Sequence, residues 1–185
     1  MGKENDNMGF YKEEDLRAQA VRQVAERMAI AARTAPKGRG VDNLVIGVVE
    51  KDVIQEIAAK MKEMAEREDL PGFSRDARNI LEAEAMVLIG TKLNAIGLKY
   101  CGLCGFKNCA ERNEHPEHPC AFNTGDLGIA IGSAVSVAME ARVDNRIMYT
   151  VGMAVREMKL LGDDVKVVYG IPLSAGPKNP FFDRK

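Results

Sequence analysis

Residues 31–49 read AARTAPKGRGVDNLVIGVV, and this stretch contains a helix end, a loop and a strand in succession. Upstream, from Glu13 to Thr34, apolar residues recur at helical spacing, which predicts a long amphipathic helix. The glycine-rich run from Ala35 to Gly40 ends that pattern. Asn43 to Val49 is short, apolar and rich in β-branched residues, so we expect a strand there.

The rest of the chain continues the same alternation of helical and strand patterns. The further predicted helices are 51–67, 75–82, 126–141 and 145–161, with Ser74 and Asp144 as caps of the second and the last. The further predicted strands are 85–89 and 165–169. Strands separated by helices predict an α/β (α+β) layered domain, with a short mixed sheet flanked by helices. The length suits one hydrophobic core, so we expect residues 1–185 to form a single domain.

Charge and composition argue against nucleic-acid and membrane partners. The chain has 26 basic and 27 acidic residues and a formal net charge of −1, so it offers no strong field of either sign. The N-terminus, Met1 to Asn7, is polar, unlike a secretory signal, and no run of about 18 apolar residues occurs. We therefore expect a cytoplasmic protein.

All the cysteines are confined to one short segment, whereas a disulfide framework would distribute them along the chain. They are Cys101, Cys104, Cys109 and Cys120. Three close cysteines and one distant cysteine are typical of ferredoxins, because a CxxC turn reaches two corners of a cuboidal cluster and a longer excursion returns the last ligand. Gly102 and Gly105 let the backbone wrap such a cluster. The spacing predicts that these four cysteines hold a [4Fe–4S] cluster.

Two alternatives use the same residues. A zinc ion also takes four thiolates and tolerates a CxxC start, although zinc sites more often pair two CxxC knuckles. The thiols could also be free or disulfide-bonded. His115 and His118 lie between the last two cysteines as competing ligands, but each sits beside a proline in a charged loop, and we interpret both as exposed loop residues.

The motif CysGlyxCysGlyxxxCysAla followed by a distant cysteine resembles the [4Fe–4S] motif of corrinoid iron–sulfur proteins and of membrane-associated electron-transport subunits. Over nearly its full length the chain also resembles an uncharacterised bacterial and archaeal family described as ferredoxin-domain-containing proteins. The resemblance implies metal binding and electron transfer by an inserted cluster-binding segment, residues 99–121.

The opening helix, the loop from Ala35 to Gly40 and the following strand resemble the start of flavin-dependent nitroreductases. The tail from Tyr169 to Lys178 resembles their closing strand and extended arm. This nitroreductase-like frame implies bound FMN, with its phosphate on Lys37, Gly38, Arg39 and Gly40. Glycines permit close backbone approach and the two cations supply charge-assisted hydrogen bonds, but a solvated connection between helix and strand would have the same composition.

These features lead to two functional hypotheses. The first is an iron–sulfur redox protein, acting in electron transfer or as a flavin-linked oxidoreductase with an unknown redox partner. The alternative is a zinc-stabilised structural or interaction protein without redox activity. We also expect a homodimer, because the helix predicted over 126–141 has little polar surface and nitroreductase-like folds bury such helices between subunits.

Overall fold

A computed structural model describes residues 9–184. The polar N-terminal stretch, Met1 to Asn7, on which the expected location was partly based lies outside the described residues. The helices are α1 Glu13–Thr34, α2 Lys51–Glu68, α3 Pro71–Asn79, α4 Cys109–Asn113, α5 Ala121–Glu140 and α6 Tyr149–Glu157, and the strands are β1 Leu44–Val49, β2 Ala85–Lys92, β3 Asp144–Asn145 and β4 Val165–Ser174. Within residues 9–184, no helix combines the length and the apolar character that a membrane crossing requires.

The strands form one four-stranded sheet in the order β1-β2-β4-β3. Each of these pairings is antiparallel, so the expectation of a mixed sheet was wrong, while the layered α/β (α+β) class is confirmed. Val49 at the end of β1 faces Met86 at the start of β2. The intervening helices α2 and α3 therefore return the chain to the end of the sheet that it left, and β2 runs back alongside β1.

The central strand β2 supplies both sides of the core, because successive side chains of a strand point to opposite faces. Met86 and Leu88 pack on one face with residues of α2, α3 and α6. Val87 and Ile89 pack on the other face with residues of α1 and α5. The sheet is thus flanked by helices on both faces, as the sequence predicted.

Helix α6 packs against β4 at very short range. A Cβ added to Gly152 would lie 1.7 Å from the carbonyl oxygen of Val168, so the helix can approach the strand this closely only with glycine at that position. The two-residue strand β3 precedes α6 and pairs with the end of β4. The helix predicted over 145–161 is consequently shorter than expected and begins at Tyr149.

The cysteine segment connects the centre of the sheet to helix α5. After β2 ends at Lys92, the chain runs without helix or strand until α4, and a second loop then leads to Ala121 at the start of α5. Both β2 and α5 contribute to the core on the α1 side of the sheet. The two ends of the cysteine segment are therefore anchored in the packed core.

Candidate metal centre

The four cysteines surround one pocket, although they are spread over a stretch of twenty residues. The pocket lies beside the start of α5 and is lined by Ala95, Ile96, Cys101, Gly102, Cys104, Asn108, Cys109, Arg112, Cys120, Ala121 and Phe122. Cys120 is buried and the other three are half-buried, and all four are free thiols. Four cysteines therefore line one partly enclosed space, which suits a thiolate-bound metal centre.

Two glycines shape the turn that holds the first two cysteines. Gly102 and Gly105 have φ values of +136° and +90°, which side-chain-bearing residues rarely adopt. The N–H of Gly105 donates to the carbonyl oxygen of Gly102 at 2.9 Å and closes the turn. Both positions therefore have a backbone conformation that glycine adopts readily, while their role around a cluster stays a prediction.

The other two cysteines lie at helix starts. Cys109 is the first residue of α4, where the side chain of Asn108 accepts a hydrogen bond from the N–H of Glu111 at 3.0 Å. Cys120 immediately precedes α5, a helix of 20 residues. The N-terminal end of a helix carries partial positive charge, so the start of α5 favours negative charge in the adjoining pocket.

Arg112 is a pocket residue that the sequence analysis did not identify. Its side chain is buried, with the residue only 3% exposed. The guanidinium donates to the carbonyl oxygens of Leu93 at 2.6 Å and His118 at 2.5 Å. Arg112 therefore ties the two ends of the segment together and places a positive charge beside the cysteines. In the sequence it stands among charged loop residues, and no pattern there distinguishes it from a solvated arginine.

No three of the cysteine sulfurs lie as close together as the ligands of a single ion. Within residues 9–184, one group of three potential metal ligands has all its ligand atoms within 4.8 Å of one another. It consists of His115, Glu117 and His118. No three cysteine sulfurs meet that criterion. Four thiolates on one zinc ion at about 2.3 Å would stand only about 3.8 Å apart by tetrahedral geometry.

The two histidines lie outside the cysteine pocket, on the loop between α4 and α5. Both are exposed, which confirms the interpretation made from the sequence. The pKa of the intervening Glu117 carboxyl lies below its usual range, first because of a hydrogen bond from its own backbone N–H and further because of the adjacent His118 and His115 rings.

The loop that was predicted to bind flavin phosphate is held by hydrogen bonds within the chain. Lys37 Nζ donates to the carbonyl oxygen of Ala32 at 2.9 Å, at the end of α1. One guanidinium nitrogen of Arg39 donates to the carbonyl oxygen of Ile96 at 2.9 Å, just before the cysteines. The N–H of Gly38 donates to both carboxylate oxygens of Asp126, each at 3.0 Å.

A mostly apolar groove of about 340 Å³ adjoins this loop. It is lined by residues of the loop, of the cysteine turn and of α5, among them Gly38, Leu103, Phe122 and Ile129. Ala121 and Phe122 belong to both the groove and the cysteine pocket. The predicted flavin loop and the cysteine turn therefore both adjoin the start of α5.

Comparisons with known proteins agree with both resemblances found in the sequence. The family model described as "uncharacterized protein containing a ferredoxin domain (DUF2148)" matches residues 117–184, which include Cys120. An uncharacterized protein of Archaeoglobus fulgidus is 42% identical over 179 residues, covering 93% of this chain and 96% of the relative.

Solved structures show the nitroreductase-like fold. A nitroreductase family protein from Clostridium novyi NT superposes with a TM-score of 0.59 at 16% identity, over 88% of this chain and 77% of that one. A nitroreductase with bound FMN from Desulfitobacterium hafniense gives a TM-score of 0.55 at 14% identity, over 84% and 78% of the two chains. At such identities the likeness concerns the fold alone.

Proposed function

This chain belongs to the family of uncharacterized proteins containing a ferredoxin domain, and from that premise we propose that it is an iron–sulfur redox protein whose four cysteines hold a [4Fe–4S] cluster. The observation that carries the proposal is the placement of all four thiols around one pocket. The segment 99–121 is then a cluster-binding insertion in a single-domain protein.

The residues around the pocket suit a cluster better than a single ion. The cuboidal cluster binds each cysteine through a different iron, so the sulfurs stand farther apart than around one zinc ion. No three of the four sulfurs lie within 4.8 Å of one another, which is compatible with the wider ligand set of a cluster. The buried Arg112 and the start of α5 supply the positive charge that stabilises a cluster with anionic ligands.

When bound, such a cluster supplies one-electron transfer. The chain's own residues fix the ligands and control access to them. Cys120 is buried, while Cys101, Cys104 and Cys109 are half-buried, so the exposed side of the pocket is the side of the first three cysteines. Leu103, between two of these cysteines, is 73% exposed and would lie at the contact with a redox partner protein.

The proposal is tested by analysing anaerobically purified protein for iron, acid-labile sulfide and zinc. We expect about four irons and about four sulfides per chain, the composition of the cluster. Cys120→Ser should lose most of both, whereas Ala110→Ser, an exposed substitution in the same segment, should retain them. Stoichiometric zinc without sulfide would instead establish the zinc-stabilised structural protein.

FMN is a second cofactor that the fold and the apolar groove favour, and it would make the protein a flavin-linked oxidoreductase. The groove beside Lys37 and Gly38 adjoins the cysteine pocket, so a flavin there would lie close to the cluster. A phosphate on the Gly38 N–H would have to displace the Asp126 carboxylate, which now accepts that hydrogen bond. Its binding would therefore depend on the charge at position 126.

Flavin binding is measured by fluorescence quenching of FMN with cluster-loaded protein. Changing both Lys37 and Arg39 to alanine should weaken binding at least tenfold, because charge-assisted hydrogen bonds contribute about 1.5–3 kcal/mol. Asp126→Asn should strengthen it, since the competing negative charge is removed. If the wild type binds no FMN, or if neither change has an effect, the loop serves only as a connection.

A homodimer in the cytoplasm remains the expected assembly and location. Helix α5 exposes Ile129 and Met139, 50% and 67% accessible, on a face that also carries Gly125, Gly128 and Gly132. Light scattering should show a dimer that Ile129→Glu dissociates and that Leu160→Glu, at an exposed site on another part of the chain, leaves intact. A monomeric wild type with intact metal would contradict this assembly.

A further inference from the structure

A second group of potential metal ligands lies outside the cysteine pocket, on the loop between α4 and α5. His118 Nδ1 is 2.9 Å and His115 Nδ1 is 3.9 Å from the same carboxylate oxygen, Oε1 of Glu117. Each of the three residues offers one ligand atom, and all three atoms lie within 4.8 Å of one another. Two imidazole nitrogens and one carboxylate oxygen therefore lie close enough together to share one metal ion.

The surroundings hold these side chains in place even though they are exposed. The Phe106 ring stacks on His115 at 5.2 Å between centroids and 18° between planes, and meets His118 edge to face at 5.3 Å. The N–H of His118 donates to the carbonyl oxygen of His115 at 3.1 Å, which closes a tight turn. Arg112 holds the carbonyl oxygen of His118 from the interior. The loop thus presents both rings on one side.

We propose that His115, Glu117 and His118 form a second metal site, which takes a single divalent transition-metal ion of the zinc type. Two histidines and a carboxylate are a familiar ligand set for zinc, with water completing the tetrahedron. Metal–ligand bonds of about 2.0–2.2 Å place tetrahedral ligand atoms roughly 3.4 Å apart. The observed histidine–carboxylate distances of 2.9 and 3.9 Å bracket that value.

The site is separate from the four cysteines but structurally linked to them. His118 lies two residues before Cys120, and its carbonyl oxygen is held by the same Arg112 that lines the cysteine pocket. A metal ion bound by the three side chains would fix the loop that delivers the last cysteine. Occupation of the site should therefore make cluster-loaded protein more resistant to heat, because a ligand that binds only the folded state stabilises it.

The test uses protein whose cysteine pocket is already filled, so that added metal cannot bind the thiolates. Titration with Co²⁺ followed by absorption, and with Zn²⁺ by calorimetry, should show one further equivalent bound. His115→Gln and Glu117→Gln should each weaken Zn²⁺ binding at least tenfold. Glu114→Gln, an exposed change in the same loop, should leave it unaltered.

Iron content is measured on every variant, so that failure of this site and failure of the cluster are distinguishable. His115→Gln is the most informative variant. Of the three ligands His115 lies farthest along the chain from Cys120, so its substitution should disturb the cysteine pocket least. Retained iron with lost Zn²⁺ binding supports the site. Absence of a further equivalent in the wild type, or unchanged affinity in both His115→Gln and Glu117→Gln, overturns it, whichever metal the cysteines hold.

Discussion

Strand β2 and the cysteine segment that follows it are neighbours in the chain but differ in what holds them in place. From Ala85 to Thr91 the residues of β2 are buried, and hydrophobic residues pack against both faces of the strand. The residues between Tyr100 and Pro119 are mostly exposed and form only the short helix α4. The strand is held by apolar burial and a hydrogen-bonded ladder, whereas the segment depends on turns, on Arg112 and on whatever its thiols bind.

This difference indicates that the sheet with its helices and the cysteine segment are stabilised in different ways. The sheet and its helices bury hydrophobic residues on both faces, so we expect them to fold without a metal. The segment has little, and under the proposed function a bound metal centre would supply the cross-links that a core would otherwise provide. Changes in the core should therefore act on folding, and changes in the segment on metal content and potential.

The largest expected effect comes from removing a core side chain. Phe181 is fully buried against the α2, α3 and α6 side of the sheet. Phe181→Ala should lower the free energy of unfolding by about 3–5 kcal/mol, because it removes apolar contacts and leaves a cavity. The neighbouring Phe182 is 52% exposed, and Phe182→Ala is the matched control with a much smaller loss. If chemical denaturation gave equally small losses of unfolding free energy for both variants, Phe181 would not be part of the core.

Next in size is the close contact between α6 and β4. Gly152→Ala places a methyl group against the Val168 carbonyl, and we expect it to cost about 3 kcal/mol as overpacking of a dense interior. Gly72→Ala, at a glycine with no atoms within 4 Å of the added carbon, should change stability by less than about 1 kcal/mol. Both are measured by thermal unfolding. A neutral Gly152→Ala would mean that helix and strand are less tightly packed than described.

A smaller effect, on potential more than on folding, is expected at Arg112. Arg112→Leu removes a buried positive charge beside the cysteines, which disfavours the more negative, reduced cluster. The midpoint potential should fall by roughly 60 mV, equivalent to about 1.4 kcal/mol for one electron. Arg112→Lys keeps the charge and should recover most of the shift. A redox titration in which both variants match the wild type would remove Arg112 from this role.

The smallest expected effect is on the stability of the metal-free core. Cys104 is half-buried in the segment. Metal-free Cys104→Ser should therefore unfold with a free energy within about 0.5 kcal/mol of metal-free wild type, as is usual for substitutions away from the core. The same variant should hold little iron when it is prepared under reconstituting conditions. A large loss of stability without metal would show that the stability of the core depends on the segment, whereas we expect the two to be stabilised separately.

Sequence patterns predicted the regular parts of the fold well, because hydrophobic periodicity reports which face of an element is buried. Helix α1 runs over Glu13–Thr34, as expected. The patterns failed where long-range pairing decides the local structure. Met148 exchanges backbone hydrogen bonds with Gly170, at 2.9 and 3.1 Å, so the chain stays extended there and α6 begins later than its periodicity suggests.

Strand β4 was likewise predicted too short. Pro172 lacks a backbone N–H, which usually argues against a strand, yet β4 continues through it opposite Met86 and ends at Ser174. The longer strand provides the edge against which β3 pairs. The full length of β4 becomes apparent only from its pairing with β2 and β3, and a single sequence does not reveal which strands pair.

The candidate site was predictable to the extent that it depends on ligand chemistry. Spacing identified the four cysteines, and the structure places them around one pocket, while the identity of the bound metal stays a prediction. Arg112 and the convergence of His115, Glu117 and His118 depend on how the loop folds back, which no periodicity encodes. The FMN loop was identified by composition, and its internal hydrogen bonds to Ala32, Ile96 and Asp126 became visible only in the structure.

The central claim is that the four cysteines hold one [4Fe–4S] cluster, and native mass spectrometry of anaerobically prepared protein tests it most directly. The mass of the intact chain reports the whole composition of the bound group rather than one element. We predict a dominant species per chain that carries four irons and four sulfides and that disappears in Cys101→Ser. A dominant species carrying a single zinc ion on the cysteines, with no sulfide, would contradict the account.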